Sequence, residues 1–355
     1  MPDNATVDYV LDGRGYGDTA TVLMQHNFDP GALRPYIGKD GRAYIKTIGR
    51  DGKPKITFVA NALATLRKDA WIELDRAAIM AARQRLRIIS DLRSAGLVTN
   101  LRNGMGTIIY QYQTTSDMTP ATVSMDGKHE TDFDRVVHDI RGLPLPIISK
   151  DLEFTAREIA TAMESGSPLE TTNVESASRK VAEEAEKLVL GLTTFQYGTN
   201  ALYGILNFPM RLTKTLTPPT GLNQDVIINE VLQMKDQMTA ARQYGPWMIY
   251  NSTSWDQYMD ADYSAAKGDN TLRDRMKKID GIVDIRTLDF LPAKTMIMIQ
   301  LTSDVIRLIN GMELTTLRWD VMGGLIVRFK VMMILAPQLR ADHYERTGLL
   351  VATHA

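Results

Sequence analysis

Apolar residues recur at spacings of three and four between positions 172 and 191. Val174, Ala177, Val181, Ala185, Leu188 and Leu192 fall on one stripe, while Glu175, Arg179, Lys180, Glu183, Glu184 and Lys187 take the remaining face. This pattern predicts one long amphipathic helix. Thr172 followed by Glu175 matches a capping box, and Gly191 suits the left-handed position that ends a helix. Glu175 with Arg179 and Glu183 with Lys187 sit four apart with the acid first, worth about 0.2–0.5 kcal/mol each in an isolated helix. A second helical stripe, Leu63, Leu66, Ala70, Leu74, Ala77, Ala81, Ile88, Ile89 and Leu92, predicts a helix over 63–93 ending before Gly96. Arg76, Arg83, Arg85 and Arg87 on its other face alternate with Asp69, Glu73, Asp75 and Asp91, which favours a salt-bridged or intersubunit face over nucleic-acid binding.

Strand-like patterning takes over elsewhere. Thr107, Ile109, Tyr110 and Tyr112 begin one run, residues 117–130 are polar and turn-rich, and β-branched residues resume over 133–140. A two-stranded ribbon follows, whose limbs hold too few large apolar residues for a core of their own, so it needs another surface to lie on. A short helix is predicted at 155–162. Pro218, Pro219 and Gly221 mark an internal boundary, after which 223–242 is helical by Val226, Ile227, Val231, Met234 and Met238. Beyond it come a buried strand at 247–250, short helices at 254–259 and 271–278, and strands at 282–285, 295–300 and 305–308 of a mixed α/β unit. Leu325, Val327, Phe329, Val331, Met333 and Leu335 occupy every second position, opposed by 314–320 across Met322, Gly323 and Gly324, as in a hairpin with one buried face. The first 60 residues are rich in glycine and proline yet hold Tyr9, Leu11, Phe28, Tyr36 and Tyr44, which fits an extended arm gripping other surfaces.

Composition narrows the function. The 355 residues are 44% hydrophobic, and 41 Lys and Arg balance 42 Asp and Glu, so no global positive field holds nucleic acid. Without cysteine there is no disulfide, thiolate nucleophile or zinc–thiolate site. Core filling explains most of the 19 methionines. The first residues lack the basic and apolar regions of a signal peptide, and no run is apolar enough to span a membrane. Chemistry is missing from the pattern as well. His26, His129, His138, His343 and His354 never take metal-ligand spacing, and Gly13, Gly15 and Gly17 lack the strand and helix of a dinucleotide loop. His138 beside Asp139 would point to opposite faces of a strand, and Asp132 with Asp134 in a polar ribbon are better solvated than catalytic. A non-enzyme with no cofactor and no metal is expected.

The order of these pieces resembles the major capsid proteins of tailed bacteriophages, of the Hong-Kong-97 type and in the branch related to encapsulin shells. The carrying stretches are LRKDAWIELDRAAIMAARQRLRIISDLRSAGL (66–97), LPLPIISKDLEFTAREI (143–159), 181–205 with its Glu-rich helix and Tyr203, Gly204 and Ile205, and 319–337. The resemblance implies an α+β capsid fold: an N-arm (1–62), a helix leading from it (63–96) and an extended loop (97–147). A peripheral domain (148–215 and 310–338) would carry the spine helix at 173–190, and an axial domain would take 216–309 and 339–355. It implies a virion protein assembled in the host cytoplasm as hexamers and pentamers around double-stranded DNA, with a separate scaffolding protein, a portal, a decoration protein in some shells, and no membrane. An encapsulin-type nanocompartment around a cargo enzyme is the alternative. Subunit contacts are expected from Tyr9, Phe28, Tyr36 and Tyr44 in the arm, and from Tyr110, Tyr112, Asp117, Lys128, Asp132, Asp134 and Arg135 in the ribbon. Glu183, Glu184 and Lys187 on the helix and Arg328 and Lys330 on the hairpin complete the set. Glu186 is expected with Glu183, Glu184 and Lys187, facing either a neighbour or the shell interior. Some family members crosslink a loop lysine to a neighbouring asparagine, but Lys128 has no local signal for it and is expected to be solvated.

Overall fold

A computed structural model describes residues 34–38, 42–48, 54–58, 68–83, 85–118, 135–165, 172–220, 224–261 and 271–354, with single positions 40, 121, 123 and 125. Its helices are α1 (Lys68–Arg83), α2 (Arg87–Ser94), α3 (Ala156–Ser165), α4 (Thr172–Leu190), α5 (Gln224–Ala240), α6 (Asp256–Met259) and α7 (Leu272–Lys277). The strands are β1 (Tyr36–Ile37), β2 (Ala43–Ile48), β3 (Pro54–Phe58), β4 (Val98–Asn100), β5 (Ile109–Thr115), β6 (His138–Pro144), β7 (Ile147–Thr155) and β8 (Phe195–Tyr197). They continue as β9 (Asn200–Leu202), β10 (Leu212–Leu216), β11 (Trp247–Ser252), β12 (Ile282–Leu288), β13 (Thr295–Gln300), β14 (Ile306–Val321), β15 (Ile326–Leu339) and β16 (Leu349–His354). The chain forms two units, Met1–Ile108 with Pro144–Phe195 and Leu308–Pro337, and Ile109–Leu143 with Gln196–Arg307 and Gln338–Ala355.

In the first unit α4 is the expected long helix. Val174, Ala177, Val181, Ala185 and Leu188 are buried, but so is an adjacent row four apart, Ser178, Ala182, Glu186 and Leu190. Two buried rows let α1, α2 and β7 all pack against it. At its end Gly191 takes a φ of 83°, its N–H donates to the Leu188 carbonyl at 3.1 Å, and that of Leu192 to Lys187 at 2.9 Å. This paired closure satisfies two carbonyls that the helix leaves open. Leu192, expected on the stripe, lies past that turn and is exposed. A reciprocal capping box stands at α3. The Thr155 N–H donates to Glu158 Oε2 at 2.8 Å, and the Glu158 N–H to Thr155 Oγ1 at 3.3 Å.

The single helix expected over 63–93 is two, α1 and α2. At Leu86, with φ −82° and ψ 79°, the backbone leaves the helix, so Leu86, Ile88, Ile89 and Leu92 reach the core from a new direction. Residues 63–67 lie outside the described residues. The core of this unit is a four-stranded sheet in the order β4-β14-β15-β7, and Phe329 on β15 sits between Trp71 of α1 and Phe154 of β7, with ring centroids 5.9 and 5.6 Å away. Val327, Phe329, Val331, Met333 and Leu335 are buried as expected, but so are Met332, Ile334 and Ala336 between them, so both faces of β15 are covered from Val331 onward rather than one, and Leu325 lies in the turn and is exposed. Residues 305–308, expected as a separate strand of the α/β unit, lead into β14, which crosses from the second unit into the first at Leu308, where Leu308 pairs with Val98. Gly104 lies against Gly311 so closely that a Cβ on it would meet the Gly311 carbonyl oxygen at 2.1 Å.

The second unit has a five-stranded mixed sheet, β10-β16-β13-β11-β12, with α5 on one face. Ile227, Val231, Met234 and Met238 of the helix meet Trp247, Ile249, Met296, Met298, Leu350 and Ala352 of the sheet. Six of the methionines fill this core, as expected of a flexible side chain in irregular gaps. Val226, expected on the buried stripe, is exposed and Ile228 replaces it. Ile282 and Ile285 join the same core three positions apart because the pairing with β11 slips between Trp247 and Met248, leaving Val283 exposed. Strands β8, β9 and β10 were not expected from the sequence.

Candidate functional site

Among the described residues no group of His, Cys, Asp or Glu is placed to hold a metal ion, and no helix is long and apolar enough to cross a membrane. The candidate site is therefore a set of exposed surfaces. In the arm, β1, β2 and β3 form an antiparallel sheet in which Tyr36 pairs with Tyr44, and Tyr44 with Phe58. Their rings run in a row, with centroids 6.2 and 6.4 Å apart, and Ile56 and Phe58 at the edge are each 58% exposed. Tyr44 donates its hydroxyl to Asp40, which holds the Asp40 carboxyl below its usual range. Arg34 fastens the start of this segment to α1: it bonds Asp75 at 2.6 Å with both side chains buried, and its guanidinium lies 4.4 Å from the Trp71 ring centre. The indole of Trp71 donates to the Pro35 carbonyl at 2.9 Å. Tyr9 and Phe28 lie outside the described residues.

The ribbon pairs β5 with β6, held beyond the strands by the Ser116 N–H on the Val137 carbonyl at 2.9 Å. Tyr110 and Tyr112 are half-buried, and burial pushes the Tyr112 hydroxyl up in pKa. Arg340, in the same unit, stands 5.8 Å from the centre of the Tyr112 ring. Asp117 and Arg135 are exposed, as are the apolar Met118, Val137 and Ile140. Lys128, Asp132 and Asp134 lie outside the described residues.

On α4 the charged face is engaged within the chain. Lys180 bonds Glu183 at 2.8 Å, Arg85 stands 3.7 Å from Glu183, Lys187 stands 3.7 Å from Glu184, and Thr193 donates to Glu184 at 2.6 Å. Burial pushes the Glu183 carboxyl up, but Lys180 and Arg85 outweigh it and the net shift is downward. Glu186 departs from expectation: it faces neither a neighbour nor a shell interior but is 1% exposed, and its Oε1 accepts the Ile88 N–H at 2.7 Å. Ser178 and Ala182, small residues eight and four positions before it, were the available signal for that buried row. On the hairpin, Arg328 and Lys330 bond Glu153 and Asp151 directly across on β7, at 3.2 and 3.4 Å. Exposed pairs of this kind are worth about 0.2–1 kcal/mol.

This arrangement of spine helix, four-stranded sheet, ribbon and mixed five-stranded unit is the Hong-Kong-97-type fold of tailed-phage major capsid proteins and encapsulin-like particles. The virus-like particle from Pyrococcus furiosus superposes with a TM-score of 0.57 at 15% identity, over 79% of this chain and 98% of that one. The capsid of Myoviridae phage XM1 gives 0.56 at 11%, over 74% and 90%, and a structure from Mycobacterium phage Bobi gives 0.54 at 13%, over 74% and 90%. Residues 61–351 match the family described as a family of unknown function, DUF6260, and the chain belongs to it. Among curated proteins nothing matches.

Proposed function

We propose that the chain is a structural shell subunit, the major capsid protein of a tailed-phage head. It self-assembles as hexamers and pentamers into an icosahedral shell around double-stranded DNA. The observation that carries this reading is the capsid fold, which spans 90% of the compared XM1 capsid chain and 74% of this one. On this reading the mechanism is assembly free energy. Arm, ribbon and peripheral hairpin each bury modest areas on neighbours, and closure of the shell removes open ends so that the contacts add. The exposed apolar side chains of β3 and β6 would supply part of that area. A net charge of −1 suits a container that encloses dense DNA without gripping it. A separate scaffolding protein, a portal and a decoration protein are the partners, the virion is the location, and assembly takes place in the host cytoplasm.

A second reading is an encapsulin-type compartment around a cargo enzyme, favoured by the likeness to the Pyrococcus particle over 98% of that chain. Electron microscopy of the purified protein, expressed with and without a scaffolding protein, tests the shell. Closed particles of uniform diameter are expected, and discrete monomers at high concentration overturn it. Nuclease-protected DNA inside particles from infected cells then selects the head, and a co-purifying folded enzyme selects the compartment.

A further inference from the structure

Glu186 sits where α4 meets the first turn of α2. One carboxylate oxygen accepts the Ile88 N–H at 2.7 Å; the other is equally buried and has no hydrogen-bond partner among the described residues. Its negative charge is therefore compensated on one side. Asp91, 4% exposed on α2, adds a second buried acid to the same contact. Several nearby cations have partners of their own, and Arg87 opens α2 itself. Arg85, between α1 and α2, stands at Glu183, and on α4 itself Lys180 bonds Glu183 and Lys187 stands at Glu184. From α1, Asp75 is bonded to Arg34, and from β7, Asp151 and Glu153 are bonded to Lys330 and Arg328.

We propose that Glu186 is a proton-operated latch between α4 and α2: protonated, it holds the two helices together, and ionised, it loosens α2 from the spine. Burial is the strongest influence on the carboxyl and pushes it up. The N–H groups of Ile88, Ile89 and Arg87 pull it down, Asp91 pushes it up again, and the result is about 7 against an ordinary 4.5. A group that binds its proton more tightly in the folded chain than in the unfolded one stabilises fully below pH 4.5. That contribution is lost as pH rises through about 7. The latch is independent of the shell reading, since it acts inside one subunit.

Hydrogen exchange of the full-length subunit, followed at residues 87–94 from pH 5 to 8.5 and corrected for intrinsic rates, tests it. Between pH 5 and 8.5 the opening equilibrium of α2 is expected to rise by about 70-fold, the part of ten raised to the difference between 7 and 4.5 that falls inside that range. Glu186→Gln, of the same shape but unable to ionise, is expected to flatten the profile, and a wild-type slope in that variant overturns the latch. Asp91→Asn removes the neighbouring charge and is expected to move the midpoint to lower pH, so an unmoved midpoint also overturns it. A flat wild-type profile does the same whatever either variant does.

Discussion

Helix α4 and the β5–β6 ribbon are both long, polar-faced elements, yet they meet their needs in opposite ways. On α4 the apolar rows are covered by α1, α2 and β7, the last turn is closed through Gly191, and the charges of Glu183, Glu184 and Lys187 have partners in the same chain. The ribbon's two strands pair with each other, and beside them Met118, Val137 and Ile140 stay open to solvent. A two-stranded ribbon is marginal alone in water, so apolar side chains left open on it ask for cover from elsewhere. Within one molecule, then, one element is saturated by its own chain and another is left wanting.

That contrast can be broken at graded strengths. Val181→Asp puts an unpaired charge into a position 2% exposed, which costs several kcal/mol; the subunit is expected to lose its folded circular dichroism and to elute as aggregate. Gly104→Ala forces a Cβ onto the Gly311 backbone, and thermal melting is expected to register a loss of about 1–3 kcal/mol with the fold retained. Val137→Ser with Ile140→Ser touches exposed positions, so the melt is expected to stay within about 0.5 kcal/mol of wild type while particle yield falls in the micrographs. Equal loss of stability in the first and last variants would erase the division between the two elements.

How much of this was legible depended on period and length. Helix α4 and strand β15 carry long, regular apolar patterns that place both elements, yet burial runs wider than either pattern, adding the Ser178, Ala182, Glu186 and Leu190 row on α4 and both faces of β15 from Val331 onward. Strands β8 and β9, three residues each, are too short to establish a period, and β10 has polar residues at Thr213, Lys214 and Thr215. The break at Leu86 was hidden because the stripe is apolar on both sides of it, and only the backbone turn changes the face that is buried. Glu186 escaped because a glutamate among glutamates reads as solvated, whereas the packing of α2 onto Ser178 and Ala182's row decides its place. The same limit applies to charges: which of them are already engaged depends on pairs far apart in the chain, such as Arg328 with Glu153.

The first unit is threaded through the chain in three pieces, the last of them Leu308–Pro337. Phe329, against which Trp71 and Phe154 stack, belongs to that last piece. During synthesis α1 and β7 therefore leave the ribosome long before their core partner exists, and must wait for about 170 further residues after β7 at about 5–20 residues per second, roughly 9–35 s. Through that interval the apolar rows of α4 already have α1, α2 and β7 to pack against, but the rings of Trp71 and Phe154 lack the one between them. A subunit truncated before residue 308 therefore has no route to its native first unit.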